Sequence, residues 1–288
     1  MNDYLIISDK VKEALKSNIP VVSLESTIIS HGMPYPTNIE VALEAERIVT
    51  SYGAIPATIA IIDGKIKVGL SKEEIAFLGN PQNKVIKTSS RDLPYIVAKK
   101  LHGATTVAAT VIISHMAGIK VFATGGIGGV HRHFQEVLDI SNDLEVLSEY
   151  NIALVCAGIK SILDLENTLE YLETKGIPIL GYKTDYLPSF YTSINPYKIP
   201  MRVDDVKEIA TLTKIKWDLG IKGSIIIANP VSKKDEINGK VIDEVTNKAL
   251  KEAKEKHISG KDITPFLLQR VAQETKGESL QANIKLFF

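Results

Sequence analysis

The chain has 288 residues, of which 44% are hydrophobic, so it can bury one large core or two smaller ones. Lysine plus arginine and aspartate plus glutamate both number 34, and this balance gives no general electrostatic attraction to nucleic acid or to anionic membranes. The single cysteine, Cys156, excludes an intrachain disulfide and fits a reducing compartment. No apolar run has the length of a membrane span and the first residues do not resemble a signal peptide, so we expect a soluble, cytoplasmic protein.

Apolar runs that predict buried strands alternate with helical patterns along the whole chain. The predicted strands are residues 21–24, 57–63, 120–124, 152–157, 177–182 and 224–229. The predicted helices include one that ends at Gly53, one that opens at Ser71, one from Ser161 to Gly176, and three near residues 205–219, 240–256 and 264–276. This alternation predicts a three-layer α/β/α fold, with a largely parallel sheet covered by helices on both faces, in a single domain spanning residues 1–288.

The segment ESTIISHGMPYP (25–36) places an acid, hydroxyls and an imidazole directly after a predicted buried strand. In open α/β sheets, ligands bind beyond the carboxyl ends of the strands, which makes Glu25 a candidate site residue. The alternative is that Glu25 is only an ion-paired residue at the end of a strand.

A second polar segment, KTSSRDLP (87–94), combines two cations and several hydroxyls with a helix that starts near Leu93. Lys87, Arg91 and a helix N-terminus would suit an anion. The alternative is an ordinary capped helix with solvated charges, since Ser and Asp are common N-cap residues.

The glycine-rich segment ATGGIGG (123–129) lets the backbone approach a ligand closely. It does not match a dinucleotide-binding fingerprint, which would need glycine where His131 stands, and it is not a Walker A loop. Downstream lie Asp139 and Asp143, whose carboxylates suit a hard cation such as Mg²⁺ or Mn²⁺ better than zinc. Alternatively, Asp139 and Ser141 only cap the following helix.

The fourth segment, VCAGIKSILDL (155–165), places Lys160 immediately after a very apolar strand. Burial would disfavour the ammonium form, and the neutral amine is the form that attacks carbon to make a Schiff base. Without further context, a solvated lysine at the end of a strand is the commoner case. Cys156, inside the same strand, is interpreted as an ordinary buried thiol.

Taken together, these segments resemble the pseudouridine-5′-phosphate glycosidase family, also called indigoidine synthase A-like. The resemblance begins near Val21 and continues to the C-terminus, through GATTVAATVIISHMAGI (103–119), TPFLLQRV (264–271) and SLQANIKL (279–286). It implies a compact α/β/α enzyme that works as a cytosolic homotrimer with one divalent cation per subunit, Mn²⁺ or another such as Mg²⁺. The reaction it implies is reversible: pseudouridine 5′-phosphate and water give uracil and ribose 5-phosphate.

The resemblance also implies roles for particular residues. Lys160 corresponds to the family's nucleophile, Glu25 to its general acid and Asp139 to its metal ligand. The positions that correspond to substrate contacts are Lys87, Val107, His131, Ser141, Asn142, Asp143 and Asn283. The chain departs from the family pattern after VHR (130–132), where HFQ replaces the usual GAE, and at Asn142, where alanine is frequent.

Two other functions stay open on the sequence. One is a different imine-forming lyase that acts on a sugar phosphate, and the other is a non-catalytic protein that binds sugar phosphates. Loss of Lys160 or Glu25 would favour the non-catalytic protein, but both residues are present.

Overall fold

The computed structural model describes residues 3–132, 134–193 and 195–286, without the side chains of residues 136, 137 and 261. The described chain divides into two compact units. Unit 1 holds residues 3–124 and 150–154, and unit 2 holds residues 125–149 and 155–286. That the whole chain acts as one domain stays a prediction.

Unit 1 contains seven complete strands and five α-helices in the described residues. The strands are β1 (Leu5–Ile7), β2 (Val21–Leu24), β3 (Ile55–Ile62), β4 (Lys65–Val68), β5 (Val85–Thr88), β6 (His102–Thr105) and β7 (Val121–Ala123). The helices are α1 (Asp9–Lys16), α2 (Thr37–Ser51), α3 (Lys72–Gly79), α4 (Leu93–Ala98) and α5 (Val107–Ala117). Short helical turns cover Ile28–Gly32 and Ser90–Asp92.

Unit 2 contains most of the helices and the later strands. Its strands are β8 (Val130–His131), β10 (Leu163–Asp164), β11 (Ile179–Tyr182), β12 (Met201–Val203) and β13 (Ile225–Ala228), and β9 (Ala153–Cys156) belongs half to each unit. Its helices are α6 (Phe134–Val137), α7 (Asn142–Glu149), α8 (Leu165–Thr174), α9 (Val206–Asp218), α10 (Gly239–Glu255), α11 (Ile263–Glu274) and α12 (Glu278–Lys285). A 3₁₀ turn covers Gly260–Asp262.

The sheet of unit 1 runs in the order β1-β4-β3-β2-β7, and β6 pairs with β3 on an additional branch that continues to β5. Strand β3 pairs antiparallel with β4 and β6, whereas β1 with β4, β2 with β3, β2 with β7 and β5 with β6 are parallel pairs. Side chains alternate along β3: Ile59 and Ile61 pack with α1, α4 and α5, whereas Ala60 and Ile62 pack with α2 and α3. Helices therefore cover both faces of this sheet, as the alternation of patterns predicted.

In unit 2, strands β13, β11 and β12 form a parallel run. All four residues of β13 are buried, which is why its sequence reads as an uninterrupted apolar run. Strands β8 and β10 form a separate antiparallel pair. The predicted α/β fold with a largely parallel sheet is therefore confirmed, and the antiparallel pairs make the sheet mixed.

All six predicted strands are present, with ends that differ by up to two residues. Helix α3 has the predicted capping box between Ser71 and Glu74. The predicted start of α8 at Ser161 is wrong, because Leu163 and Asp164 first pair with β8 and Asp164 then caps the helix by accepting from the N–H of Asn167. Helix α12 was not predicted. Among the described helices, none is long and apolar enough to cross a membrane.

Candidate functional site

Glu25 lies immediately after β2 in unit 1, with its side chain half-buried. The hydroxyl of Thr124, the residue that follows β7, donates a hydrogen bond to Oε1 of Glu25. The register explains this contact, because β2 and β7 are parallel neighbours in which Leu24 pairs with Ala123. The acid is therefore held at the carboxyl edge of two strands rather than projecting into solvent.

Unit 1 brings the other two predicted residues of its sequence, Lys87 and Val107, to the same region. The N–H of Thr105, at the end of β6, donates to the hydroxyl of Ser26 at 2.8 Å. The N–H of Thr106 donates to the carbonyl of Thr88, the neighbour of Lys87, at 3.0 Å. The carboxyl ends of β2, β5 and β6 therefore lie close together. Strand β3 pairs with β2 through Ile55–Thr58 and then with β6 through Ala60 and Ile61. Because β6 runs antiparallel to β3, its last residue comes back to the end of β2.

Val107 is only 1% exposed and begins helix α5, whose N-cap is Thr106. Because its side chain is apolar and buried, a polar contact of Val107 with a ligand would come from its backbone. Helix N-termini carry partial positive charge, so this first turn and the half-buried Lys87 are suited to an anionic group.

The segment after β5 also has the simple capping role that the sequence left open. Ser89 and Asp92 form a reciprocal capping box, in which the N–H of Ser89 donates to the carboxylate of Asp92 at 3.0 Å. Ser89 and Asp92 are therefore committed to the start of a helical turn.

In unit 2, the glycine turn (residues 125–129) runs beside the segment that follows β9. The N–H of Ile127 donates to the carbonyl of Gly158 at 3.1 Å, and the N–H of Lys160 donates to the carbonyl of Ile127 at 3.2 Å. Gly158 has φ +80°, and a Cβ there would overlap the carbonyl oxygen of Pro188, so only glycine fits. The backbone of Lys160 is thereby fixed against the glycine turn.

The side chain of Lys160 is half-buried, and among the described residues its ammonium has no hydrogen-bond or ion-pair partner. Its charge is felt by Cys156, which lies inside β9. Burial raises the pKa of the Cys156 thiol to about 12, while the backbone at Gly158 and the charge of Lys160 oppose that rise. Cys156 is thus an unreactive buried thiol, as the sequence suggested.

Ser141, Asn142 and Asp143 stand at the start of α7. The carboxylate of Asp143, 6% exposed, accepts from the N–H of Gly128 at 2.9 Å and so holds the glycine turn. The hydroxyl of Ser141 accepts from the N–H of Asp143 at 3.3 Å, which is the capping role that the sequence left open. Asn142 is exposed.

His131 lies on β8 and is 7% exposed, and its Nδ1 is 3.9 Å from Oδ2 of the half-buried Asp139. Within the described part of the chain, no group of three or more His, Cys, Asp or Glu side chains could hold a metal ion. A dedicated zinc cage is therefore absent from those residues. A lone carboxylate such as Asp139 instead fits a hydrated hard cation, since Mg²⁺ keeps several waters and binds through one or two carboxylates.

Asn283 lies on α12 and is 3% exposed. Its side-chain oxygen Oδ1 has no hydrogen-bond partner among the described residues. A buried amide oxygen without a donor is costly, so this atom is a candidate acceptor for a ligand N–H.

Unit 2 also contains a cleft of about 1000 Å³ that the sequence did not predict. Arg132 lines it and donates to the carbonyl of Ser161 at 2.9 Å and to Asp243 at 2.7 Å. Burial raises the pKa of the Tyr197 hydroxyl in its wall, as do the nearby carboxylates Glu166, Asp164 and Asp243. The predicted site residues of unit 2 are outside the described lining of this acidic cleft.

The family model described as "Indigoidine synthase A like protein" matches residues 10–288. The chain belongs to this family. Among its relatives, the pseudouridine-5′-phosphate glycosidase of Clostridium botulinum is 57% identical over the whole of this chain and 94% of its own length. The pseudouridine-5′-phosphate glycosidase of Geobacillus kaustophilus is 56% identical over 99% of this chain and 95% of its own length.

Two solved structures have the same fold. The prealnumycin C-glycosynthase AlnA, crystallised with ribulose 5-phosphate, is 35% identical and superposes with a TM-score of 0.91 over 100% of this chain and 93% of its own. An indigoidine synthase A-like protein of Thermotoga maritima is 34% identical, with a TM-score of 0.90 and the same coverage.

Proposed function

We propose that this chain is a pseudouridine-5′-phosphate glycosidase that reversibly converts pseudouridine 5′-phosphate and water into uracil and ribose 5-phosphate. The observation that carries the proposal is the 57% identity to a glycosidase of that name over the entire chain. The presence of Glu25 directly after β2, and of Lys160 four residues after the end of β9, supports it further.

The bond to be broken joins C1′ of the ribose to C5 of the uracil, and this makes a nucleophilic lysine useful. Ordinary glycosidases protonate an oxygen that leaves with its electron pair, using two carboxylates. Here the leaving atom is carbon, so protonation of an exocyclic heteroatom gives no assistance. An amine bonded to C1′ can instead push the C1′–C5 bond apart and become an imine.

In the proposed sequence, the carboxyl group of Glu25 gives its proton to O4′ as the ribose ring opens. Nζ of Lys160 bonds to C1′, the C1′–C5 bond then breaks, and C5 of uracil takes up a proton. The resulting imine between Lys160 and C1′ is hydrolysed by water to ribose 5-phosphate and the free amine. General acid catalysis of this kind contributes about 10²–10⁴-fold.

The remaining predicted residues would bind the substrate. Lys87 and the first turn of α5 at Val107 are suited to the phosphate group. The unpartnered Oδ1 of Asn283 would accept from a ring N–H of uracil. We assign substrate contacts also to His131, Ser141, Asn142 and Asp143, with the carboxylate of Asp143 acting through the glycine turn that it holds.

We also propose one Mn²⁺ or Mg²⁺ ion per subunit at Asp139, and a homotrimer in the cytoplasm. The donor set supports a cation bound by one carboxylate and water, with His131 close by. When bound, such a cation would supply positive charge that stabilises the oxygens of the sugar phosphate. Light scattering coupled to size-exclusion chromatography would measure the mass of the assembly.

The experiment is incubation of the enzyme with uracil and ribose 5-phosphate, followed by detection of the C-glycoside, and a parallel incubation with ribose 5-phosphate and borohydride. We expect pseudouridine 5′-phosphate in the first and a reduced covalent adduct on Lys160 in the second. A bound sugar phosphate that cannot be trapped would contradict the lysine mechanism. An adduct without any reaction with uracil would indicate a different acceptor.

A further inference from the structure

Glu25 is embedded between two buried hydroxyls that fix its backbone. Ser23 and Ser26 are both 0% exposed. The hydroxyl of Ser23 donates to the carbonyl of Val121 on β7 at 3.1 Å, and the hydroxyl of Ser26 accepts from the N–H of Thr105 at 2.8 Å. The residues on either side of Glu25 are therefore tied to β7 and to the end of β6.

Thr124 contacts the side chain of Glu25. It is 5% exposed and stands beside Glu25, one register step beyond the pair formed by Leu24 and Ala123. Its hydroxyl donates to Oε1 of Glu25. A threonine hydroxyl has one proton to donate, so this bond fixes Oε1 as an acceptor and with it the orientation of the carboxyl group.

We propose that Thr124 is a positioning residue for the general acid, and that its bond to Oε1 sets the orientation in which the carboxyl group of Glu25 delivers its proton to the ribose ring oxygen. This inference rests on the proposed function and deepens it. Nothing in the sequence marked Thr124, because it precedes the glycine run and looks like the last residue of a strand.

A second threonine–glutamate pair in unit 1 shows in which direction such a hydrogen bond shifts the pKa of the carboxyl group. The hydroxyl of Thr58, which is 2% exposed, donates to Oε1 of Glu46 at 2.6 Å. Burial raises the pKa of Glu46, and the hydrogen bond from Thr58 lowers it against that effect. A donor favours the charged carboxylate, so removing Thr124 should make Glu25 keep its proton to higher pH.

The test compares Thr124→Val, which keeps the shape but lacks the hydroxyl, with Thr124→Ser, which restores the donor. We expect Thr124→Val to lower kcat by about tenfold with little change in KM, because hydrogen bonds to charged groups are stronger than those between neutral groups. The limb of the pH profile that reports Glu25 should move upward by about one unit. Thr124→Ser should recover most of both effects.

Thr58→Val is the matched control, since it removes an equally buried hydroxyl from a glutamate that the mechanism does not use. It should leave the pH profile unchanged even where it lowers the melting temperature. If Thr124→Val behaves like Thr58→Val, or if Thr124→Ser gives no recovery, the positioning role is overturned and Thr124 is only a packing residue.

Titration of the glutamate carboxyl carbons by ¹³C NMR separates this inference from the proposed function. The Glu25→Gln variant identifies the Glu25 signal, which should titrate higher by about one pH unit in Thr124→Val. An inactive wild-type enzyme would refute the proposed function, yet the shift would still support the hold of Thr124 on Glu25. An unshifted signal would overturn the positioning role whether or not the enzyme is active.

Discussion

The two strand ends that carry the proposed catalytic groups are built in opposite ways. Beyond β2, the side chain of Glu25 is held by Thr124, and Ser23 and Ser26 tie down its backbone. Beyond β9, the backbone of Lys160 is hydrogen-bonded to the glycine turn, but its ammonium has no hydrogen-bond partner within the described residues. The carboxylate of Glu25 is held by a hydrogen bond, whereas in the described part of the chain Lys160 is held only through its backbone.

This difference matches the tasks of the two groups. A general acid must present one proton to one atom, so a fixed orientation helps it throughout the reaction. A lysine that forms a bond to C1′, releases uracil and is then freed by water must move through several geometries. A side-chain amino group without a partner in the described residues, on a backbone bonded to the glycine turn, provides that reach. The predictions below test each side of the contrast.

The largest effect is expected at Lys160. Lys160→Ala should lower kcat on the order of 10⁴-fold or more and abolish borohydride trapping, since the covalent intermediate cannot form. Lys207→Ala, at an exposed lysine at the start of α9, is the matched control and should retain full activity. Steady-state kinetics and mass spectrometry measure both. Residual trapping in Lys160→Ala would assign the nucleophile to another lysine.

The next effect is expected at Glu25. Glu25→Gln keeps the size and the acceptor for Thr124 but has no acidic proton, so kcat should fall by about 10²–10⁴-fold. Binding of ribose 5-phosphate, measured by calorimetry, should change little because Glu25 acts on proton transfer. Glu40→Gln, on the exposed face of α2, is the control. A fully active Glu25→Gln enzyme would require another acid.

The next prediction concerns how tightly the glycine turn, to which the backbone of Lys160 is hydrogen-bonded, is packed. A Cβ at Gly128 would come within 2.7 Å of Oδ2 of Asp143 and 2.6 Å of Cβ of Ser141, so Gly128→Ala should cost about 1–3 kcal/mol in the free energy of unfolding. Gly239→Ala is the control, because its Cβ would meet nothing closer than 3.8 Å at the start of α10. Urea unfolding measures both. Equal stability of the two variants would contradict the close packing of the turn.

Another prediction concerns how much the buried hydroxyl network next to Glu25 stabilises unit 1. The hydroxyl oxygen of Ser114 lies 2.8 Å from that of Ser23 and 2.7 Å from the carbonyl oxygen of Thr110, and its single proton is shared between these two acceptors in the buried interior of unit 1. Ser114→Ala should cost about 1–2 kcal/mol in urea unfolding. Ser51→Ala, which removes an exposed hydroxyl from α2, should change stability by less than about 0.5 kcal/mol. Similar losses of stability in the two variants would show that the buried hydroxyl of Ser114 contributes no more than an exposed one.

The smallest effect concerns Cys156, four residues before Lys160. Its thiol stays protonated to about pH 12 in the folded chain but ionises near pH 8.5 when unfolded. The unfolded state therefore binds fewer protons above pH 8.5, and the stability that Cys156 contributes falls as the pH rises. Between pH 7 and 9.5, wild type should lose about 1 kcal/mol more than Cys156→Ala in urea unfolding. Parallel curves for the two proteins would mean that the thiol is not buried in solution.

Much of the fold could be predicted from local patterns. Each apolar run that was interpreted as a strand forms one, because a strand buried on both faces needs a continuous apolar sequence. The capping box at Ser71 is likewise a local hydrogen-bond pattern that short spacing reveals. The start of α8 was mistaken because the pairing of Leu163 and Asp164 with β8 is a contact with a distant segment, which overrides a nearby serine as a cap.

The sequence by itself determined the α/β class, the family and the positions of Glu25 and Lys160 at strand ends, because periodicity and motifs are properties of neighbours along the chain. Only the tertiary structure decided that Thr124 holds Glu25, that Asp143 holds the glycine turn, and that β6 returns to the end of β2. Each of those contacts depends on strand register or loop closure across 15 to 99 residues. Such pairings are fixed by the packing of the whole sheet, which no local spacing records.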